Sequence, residues 1–336
     1  MPATRREVAQ AANVSLRTVS NVVNGFESVA PDTRERVLRV IAELDYRPSE
    51  IARMLKRGRS GLVALVLPEL DTPYFAELTR AFVELGAMRG YTVVIDQTDG
   101  DVARELELIS QTDRGALFDG LIVSPLGLSA EHLEGISPER PVVFLGEDSH
   151  TGFDQVMIDN FAAARDAVSH LVGQGRTRIA AIGAETQRPA SSTIRLAGYK
   201  QALEDAGIEF DPSLVGYVGA FRRPDGAEAM SRLLDLDARP DAIFCFADPL
   251  ALGAMRVLHE RGYRLPSDIA IVGFDDIEDG HYSTPSLSSI SPDKEFIASK
   301  ALDLLTARLD GTNRQPASYL APYKLIIRES SASDPE

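Results

Sequence analysis

The 336-residue sequence is poor in the residues on which disulfide and metal chemistry depend, with one cysteine, five histidines and no tryptophan. The single cysteine, Cys245, excludes an intrachain disulfide bond and indicates a reducing compartment. No apolar run approaches the length that spans a membrane, and the first residues lack the apolar core of a signal peptide. These absences together predict a cytoplasmic protein.

The sequence motifs of common enzymes are absent as well. There is no GxSxG nucleophile elbow, no HExxH zinc motif, no P-loop lysine motif and no CxxC pair. The segment Gly183-Ala184-Glu185 is too short a pattern to indicate nucleotide binding. We therefore expect no cofactor and no metal, and a protein that binds a ligand rather than an enzyme.

The charge is divided unevenly along the chain. Residues 1–60 carry 11 Lys+Arg and 7 Asp+Glu, a net of +4, whereas the other 276 carry 24 and 43, a net of −19, which together give the total of −15. A basic head can neutralise DNA phosphates while an acidic body stays soluble and away from the DNA. Charge alone would equally fit a mixed-charge surface helix, so the helix pattern has to decide.

Two short helices joined by a tight turn are predicted near the N-terminus. Thr4 is the expected N-cap of the first, over residues 5–12, and Ser15 is the expected cap of the second, over residues 15–24. Apolar residues are spaced to meet between the two helices. The side chains expected to face outward from the second helix are Leu16, Arg17, Ser20 and Asn21. This layout is that of a helix-turn-helix, whose partner is duplex DNA.

Past residue 60, short Val/Ile/Leu-rich segments alternate with amphipathic stretches. The pattern predicts nine strands between residues 62 and 272, with helices between most of them. It is typical of parallel sheets with both faces covered, and the number of strands indicates two doubly wound lobes. The predicted fold class is therefore α/β, with an all-α helix-turn-helix head in front. Ligands of such sheets bind outside the carboxyl ends of the strands.

Short motifs occur in a fixed order along the whole chain. In the head they are Val8-Ala9, Val14-Ser15, Thr18-Val19-Ser20, Tyr46-Arg47-Pro48 and Ala52-Arg53-Met54-Leu55. In the body they are Tyr74-Phe75, Ile158-Asp159-Asn160, Arg195-Leu196-Ala197-Gly198, Ala247-Asp248 and Val272-Gly273-Phe274-Asp275. In this order, the chain resembles transcriptional regulators of the lactose-repressor/galactose-repressor (LacI/GalR) family.

The resemblance implies a head, a hinge helix and a two-lobed core similar to periplasmic sugar-binding proteins. The implied boundaries are 1–48 for the helix-turn-helix, 49–60 for the hinge helix and linker, 61–159 with 290–319 for the first lobe, 160–289 with 320–330 for the second lobe, and 331–336 for a tail. The family dimerises through this core, so that two heads meet two half-sites of a palindromic operator.

Arg17 is the residue we expect to read a base, because a guanidinium early in the recognition helix can bind guanine O6 and N7 together. Leu16 suits a thymine methyl group or a sugar, unless it is buried against the first helix, and Asn21 suits adenine or phosphate. Thr18 and Ser20 fit phosphate or capping roles better. The complete set of expected DNA contacts is Thr4, Ser15, Leu16, Arg17, Thr18, Ser20, Asn21, Asn24, Ala52, Leu55 and Lys56.

The resemblance gives Leu55 a separate role. Two copies of this leucine would enter the minor groove, separate the central base step and bend the DNA, while Lys56 holds a phosphate. The alternative is an ordinary linker with one apolar anchor. In the third helix of the head, Ala30 is a poor cap.

The resemblance also brings one set of residues together between the lobes: Tyr74, Phe75, Glu147, Arg195, Phe221, Asp248 and Asp275. Aromatic rings stack on the apolar face of a sugar, and carboxylates with a guanidinium bridge its hydroxyls. Three alternatives stay open. Asp248 could instead cap a helix, and Tyr74 and Phe75 could be core aromatics. Because stacking with an acidic partner also suits a nucleobase, the ligand could be a purine-type corepressor.

We therefore expect a repressor of a carbohydrate-utilisation operon that releases its operator when a sugar binds between the lobes. The competing hypotheses are a sugar-binding transport component, which would have no use for the head, and an enzyme on a doubly wound fold, for which catalytic motifs are lacking.

Overall fold

A computed structural model describes residues 3–23, 26, 29–46, 59–110, 117–129, 131–136, 138, 140–146, 152–185, 190–311 and 315–332. These residues fall into two compact units that divide after Gly61. In the described ranges no helix has the length and apolar character needed to cross a membrane.

The first unit contains three short helices, α1 (Arg5–Ala11), α2 (Leu16–Val23) and α3 (Pro31–Glu43). Thr4 begins α1 with a capping box, because its hydroxyl accepts a hydrogen bond from the Glu7 N–H and the Glu7 carboxylate accepts one from the Thr4 N–H. Ser15 begins α2, and its Oγ accepts from the Thr18 N–H at 3.0 Å. Both predicted caps are confirmed.

Small apolar side chains form the core of this unit. Val8 and Ala12 of the α1 segment and Val19 of α2 are fully buried and pack together with α3. Asn13 takes a φ of 50° in the turn between α1 and α2, a conformation that asparagine adopts more readily than most residues. Ala30 in front of α3 makes no capping bond with its side chain, as predicted. The two-helix layout expected from the sequence is therefore present.

The second unit contains two six-stranded sheets in its described part. In chain order the strands are β1 (Leu62–Leu67), β2 (Thr92–Gln97), β3 (Gly120–Val123), β4 (Val142–Leu145), β5 (Asp154–Ile158), β6 (Ile179–Ala184), β7 (Val215–Tyr217), β8 (Ala242–Cys245), β9 (Ala270–Phe274), β10 (Ser288–Pro292), β11 (Ser318–Ala321) and β12 (Tyr323–Ile326). The first sheet has the order β11-β5-β4-β3-β1-β2 and the second β12-β10-β9-β8-β6-β7. Neighbouring strands are parallel except β10 and β12, which are antiparallel.

Helices cover the sheets and complete two lobes. In chain order they are α4 (Pro73–Met88), α5 (Val102–Ser110), α6 (Asn160–Gly173), α7 (Ala190–Asp205), α8 (Arg223–Leu234), α9 (Asp248–Glu260), α10 (Glu278–His281) and α11 (Lys294–Leu309). The first lobe is the first sheet with α4, α5 and α11, and the second lobe is the second sheet with α6 to α10.

Strand β1 shows why its sequence is almost wholly apolar. Val63, Leu65 and Leu67 point into one cluster with α4 and α11, whereas Ala64 and Val66 point into another with α5. Alternate side chains of a strand face opposite sides of its sheet, so a strand covered on both sides needs apolar residues throughout. The prediction of doubly wound sheets is confirmed.

The chain passes between the lobes three times. It leaves the first sheet after β5, returns between β10 and α11, and crosses again between β11 and β12. The predicted lobe boundaries at residues 290 and 320 are wrong, because all of β10 (288–292) belongs to the second sheet and all of β11 (318–321) to the first. Ser288 to Ile290 pair with β9 and are buried in the second lobe, so the chain enters the first lobe only after Pro292.

Candidate ligand cleft and nucleic-acid interface

The face of α2 presents some of the predicted DNA-reading side chains and not others. Arg17 is exposed, Asn21 is partly exposed, and Leu16 is 47% exposed, which excludes the alternative that Leu16 is buried against α1. The prediction that Ser20 faces outward is wrong. Its side chain is only 9% exposed because it follows Val19 onto the packed side of the helix.

Thr18 is held within the helix start. Its hydroxyl lies 2.8 Å from the Ser15 hydroxyl, while its own N–H binds the same Ser15 oxygen. The two hydroxyls thus lie at the N-terminus of α2, where Ser15 caps an N–H group that has no acceptor within the helix. The predictions for Asn24, Ala52, Leu55, Lys56 and Glu147 concern residues outside the described ranges.

A cleft of about 160 Å³ opens at the carboxyl ends of the strands of both sheets. One water needs roughly 10–15 Å³ of such volume, so the space suits a small organic molecule. Five predicted residues line it: Tyr74, Phe75, Arg195, Phe221 and Asp275. Tyr74 and Phe75 stand edge to face, with ring centroids 5.3 Å apart. Both rings are half-buried, since they pack on the first lobe on one side and line the cleft on the other.

Arg195 comes from inside helix α7. Its side chain is 5% exposed, its Nε donates to Asn160 Oδ1 at 2.7 Å, and its Nη1 donates to the carbonyl of Phe246. The guanidinium lies 3.7 Å from the centroid of the Phe274 ring. Cation–π stacking and two fixed hydrogen bonds hold the group in one orientation before any ligand arrives.

Gly198, one turn after Arg195, allows this placement. A Cβ atom at position 198 would overlap the carbonyl oxygen of Phe161, at the start of α6. Only glycine lets α7 approach α6 so closely, and the approach brings Arg195 to Asn160. Asn160 is 1% exposed and belongs to the Ile158-Asp159-Asn160 motif, but its role as the partner of Arg195 was not predicted.

Asp275 stands on a turn whose backbone is strained and firmly held. Its φ is 110° and that of Asp276 is 49°, conformations that side-chain-bearing residues rarely adopt. Three successive N–H groups are fixed: Asp275 donates to the Ile290 carbonyl at 2.9 Å, Asp276 to Ser289 Oγ at 3.1 Å, and Ile277 to a carboxylate oxygen of Asp248 at 2.9 Å. We call residues 275–277 the Asp275 turn.

The prediction that Asp248 contacts the ligand is wrong. Its side chain has no exposed surface, it does not line the cleft, and its carboxylate accepts from Ser289 Oγ at 2.6 Å and from Ile277 N–H. Burial first, then the nearby charge of Asp275, raise the pKa of Asp248 well above the ordinary carboxyl value, against these hydrogen bonds. A Cβ at Gly273 would overlap Oδ1 of Asp248. Asp248 therefore holds the Asp275 turn in place through Ile277 and Ser289, on the side away from the cleft.

Several polar residues of the cleft were missed by the sequence analysis: Glu69, Thr72, Ser124, Glu185 and Ser191. The positions of three of them carried a signal, because Glu69 lies just beyond β1, Ser124 follows β3 and Glu185 follows β6. Polar residues directly after parallel strands are where a cleft ligand is bound. In the described part of the chain, no group of His, Cys, Asp or Glu is placed to hold a metal ion.

A helix-turn-helix unit and a two-lobed body with a ligand cleft define a ligand-binding transcriptional regulator. A family profile described as "Bacterial regulatory proteins, lacI family" matches residues 4–49, and one described as "Periplasmic binding protein-like domain" matches residues 168–331.

Several known proteins are similar to this chain over almost its full length. Catabolite control protein A of Priestia megaterium is 32% identical over 98% of this chain and 100% of its own. The structure of a transcriptional regulator CelR–cellobiose complex is 31% identical, with a TM-score of 0.71, and covers 98% and 99% of the two chains. A lac repressor dimer bound to operator and the anti-inducer ONPF is 27% identical, with a TM-score of 0.88, and covers 99% and 100%. The chain belongs to the LacI family of bacterial regulatory proteins.

Proposed function

We propose that this regulator represses carbohydrate-utilisation genes and that a small uncharged sugar, bound in the cleft, controls its affinity for its operator. The observation that carries the proposal is the composition of the cleft. Aromatic rings come from both lobes, Tyr74 and Phe75 from the first and Phe221 from the second, around polar groups at the strand ends. Sugar sites combine these features, because ring C–H faces stack on aromatics while hydroxyls need paired acceptors and donors.

The polar side chains lining the described cleft favour an uncharged ligand. Three of them are carboxylates, Glu69, Glu185 and Asp275, and the one cation among them is Arg195. The guanidinium is already engaged by Asn160 and the Phe246 carbonyl, which limits what it can offer a phosphate. Carboxylates accept charge-assisted hydrogen bonds from hydroxyl groups and repel anions. The CelR complex with cellobiose supports a sugar ligand in this fold.

The DNA-binding half of the proposal rests on the exposed face of α2. We expect a homodimer that places two copies of Arg17 in the major grooves of two half-sites of a palindromic operator, with Leu55 at its centre. The structure of the lac repressor dimer bound to operator supports this arrangement. A ligand held by Tyr74 from one lobe and Asp275 from the other favours the closed cleft and thereby releases DNA.

The experiment combines a mobility-shift assay on DNA from the protein's own promoter region with a thermal-shift panel. The panel pairs each neutral compound with its phosphate: glucose with glucose 6-phosphate, ribose with ribose 5-phosphate, and adenosine with AMP, with cellobiose and hypoxanthine added. A ligand at 100 times its dissociation constant stabilises by about 2.7 kcal/mol. That corresponds to roughly 5–10 °C for a body of this size.

We expect a neutral sugar to raise the melting temperature and to weaken the mobility shift. A response to hypoxanthine or adenosine alone would replace the sugar with a nucleobase ligand. Stronger binding of a phosphorylated member of any pair would contradict the uncharged class. Absence of a specific mobility shift would contradict the regulatory role itself.

A further inference from the structure

Glu77 joins the two lobes beside the cleft, although it does not line it. It lies on α4, one helical turn after Tyr74, and divides its two oxygens between two partners. Oε1 accepts from the backbone N–H of Glu278 at 2.9 Å, and Oε2 accepts from Lys294 Nζ at 2.5 Å. Glu278 begins α10 of the second lobe, whereas α4 is packed in the first. One carboxylate therefore bridges the lobes.

Lys294 extends this bridge in both directions. Its Nζ also donates to the carbonyl of Asp276 at 3.2 Å and lies 5.8 Å from the centroid of the Tyr74 ring. The Lys294 side chain is 14% exposed and that of Glu77 is 33% exposed. By contrast, the ion pair of Arg222 with Glu69 at the cleft spans 3.7 Å, and its arginine is 59% exposed. Because shielding from water strengthens a charge pair, the Glu77–Lys294 pair within the first lobe is the stronger of the two, and it holds both side chains where they reach Glu278 and Asp276 of the second lobe.

One partner of Glu77, the Glu278 N–H, belongs to a segment that the second lobe holds rigidly, whereas Lys294 begins α11 of the first lobe. Glu278 directly follows the Asp275 turn, whose three N–H groups are fixed to β10 and to Asp248. A shift of Glu278 or of the Asp276 carbonyl must therefore move the whole turn with its lobe. On the other side, Glu77 and Tyr74 are successive residues of one helix face. The bridge thus fixes the separation between Tyr74 and Asp275, which face the ligand from opposite lobes.

We propose that Glu77 is a positioning residue that sets the spacing of the lobes, and so controls ligand affinity without touching the ligand. The inference relies on the proposed function only in taking the cleft as the ligand site. The spacing itself is measurable without any ligand, so failure of the one does not entail failure of the other.

The test measures the lobe spacing by pulsed electron–electron double resonance between two spin labels. Met88→Cys on the first lobe and Glu260→Cys on the second give exposed attachment points. The native Cys245 is fully buried, and burial raises the pKa of its thiol, so it does not compete for the label. Labelled full-length chains are mixed with excess unlabelled chains, so that only distances within one chain contribute.

We expect Glu77→Ala to lengthen and broaden the distance distribution, because the contact with the Glu278 N–H is lost and Lys294, which donates to the Asp276 carbonyl, loses the carboxylate that holds it in place. Glu77→Gln should give an intermediate distribution, since its amide oxygen can still accept from Glu278 but no longer neutralises Lys294. The matched control is Glu84→Gln on the same helix, which removes only an exposed ion pair with Arg80. That control should leave the distribution unchanged.

The proposal is overturned if the distribution of Glu77→Ala superimposes on that of the parent, or if Glu84→Gln shifts it as far. If circular dichroism shows that Glu77→Ala does not fold, Lys294→Met provides the second variant. It keeps most of the length of the unbranched side chain and removes the ammonium donor, so it should also lengthen the distance. A folded Lys294→Met with the parent distribution would also overturn the proposal.

Discussion

Replacement of Asp248 by alanine tests the role that the structure gives this residue in place of ligand binding. The substitution removes the acceptor of the Ile277 N–H and of the Ser289 hydroxyl, both in a site without exposed surface. A buried donor without its acceptor costs about 1–3 kcal/mol. Because the Ser289 hydroxyl has a second, longer contact with the Ile290 carbonyl at 3.3 Å, we expect a total loss of about 2–5 kcal/mol.

Asp248→Asn is the informative partner of that variant, because its amide oxygen can still accept from Ile277. It also removes a group whose pKa is raised in the folded protein. A carboxyl with a raised folded pKa favours the folded state most below its unfolded pKa, near 3.9, and this advantage is lost as the pH rises toward the folded pKa. The melting temperature of Asp248→Asn, measured relative to that of the parent, should therefore increase as the pH rises above about 4.

The assay is scanning calorimetry of the full chain across pH, followed on the transition of the body. A loss of 2–5 kcal/mol corresponds to roughly 5–15 °C at this size. A lowering of less than about 2 °C in Asp248→Ala would refute the assigned support role. A constant difference between Asp248→Asn and the parent at every pH would refute the argument from burial.

Three further predictions concern the head and the cleft. Ala30→Ser should give α3 the side-chain cap that it lacks, stabilising the head by about 1 kcal/mol, and hydrogen exchange of the α3 amides should slow about fivefold, whereas unchanged exchange would contradict a vacant cap. Arg17→Ala should cost about 1–3 kcal/mol on the operator and relax preference at one base pair per half-site, and equal losses on operator and random DNA would show a phosphate contact instead. Asp275→Ala should abolish the response to ligand in the mobility-shift assay while operator affinity stays the same, and a retained response would remove Asp275 from the site.

Much of the fold could be predicted because the strands of a parallel sheet covered on both faces have a recognisable apolar sequence. Residues 62–67 are apolar without interruption, which is the usual composition of a strand buried on both faces. Strands β10 to β12 were not predicted for the converse reason. Strand β10 buries serines, whose hydroxyls bind Asp248, Arg328 and Ser331, and β11 at a sheet edge is largely exposed. Their composition carries little apolar signal, so only the tertiary context defines them.

The sequence predicted which residues follow the strand ends near the cleft. It did not predict which of them are exposed to the cleft and which are buried behind it. Asp275 and Asp248 both follow apolar strands, and spacing alone treats them alike. The two residues differ in their backbone conformation. Asp275 takes a positive φ that directs it into the cleft, while Asp248 is the first residue of α9 and is buried. Ser20 illustrates the same limit, because a shift of one residue around a short helix changes an outward side chain into a packed one.

The position of the Asp275 turn explains how ligand binding can change the lobe spacing. The turn carries the carboxylate that faces the ligand, and the next residue binds Glu77 of the opposite lobe. A ligand that draws Asp275 toward Tyr74 thus acts on the same rigid segment that the bridge already holds. Coupling requires a ligand to bind the two spacings with different affinity, typically by about 1–3 kcal/mol, and it must be reciprocal. Operator DNA should therefore lower the affinity for an inducing sugar by roughly 5- to 150-fold, and an unchanged affinity by titration calorimetry would break the link between cleft and head.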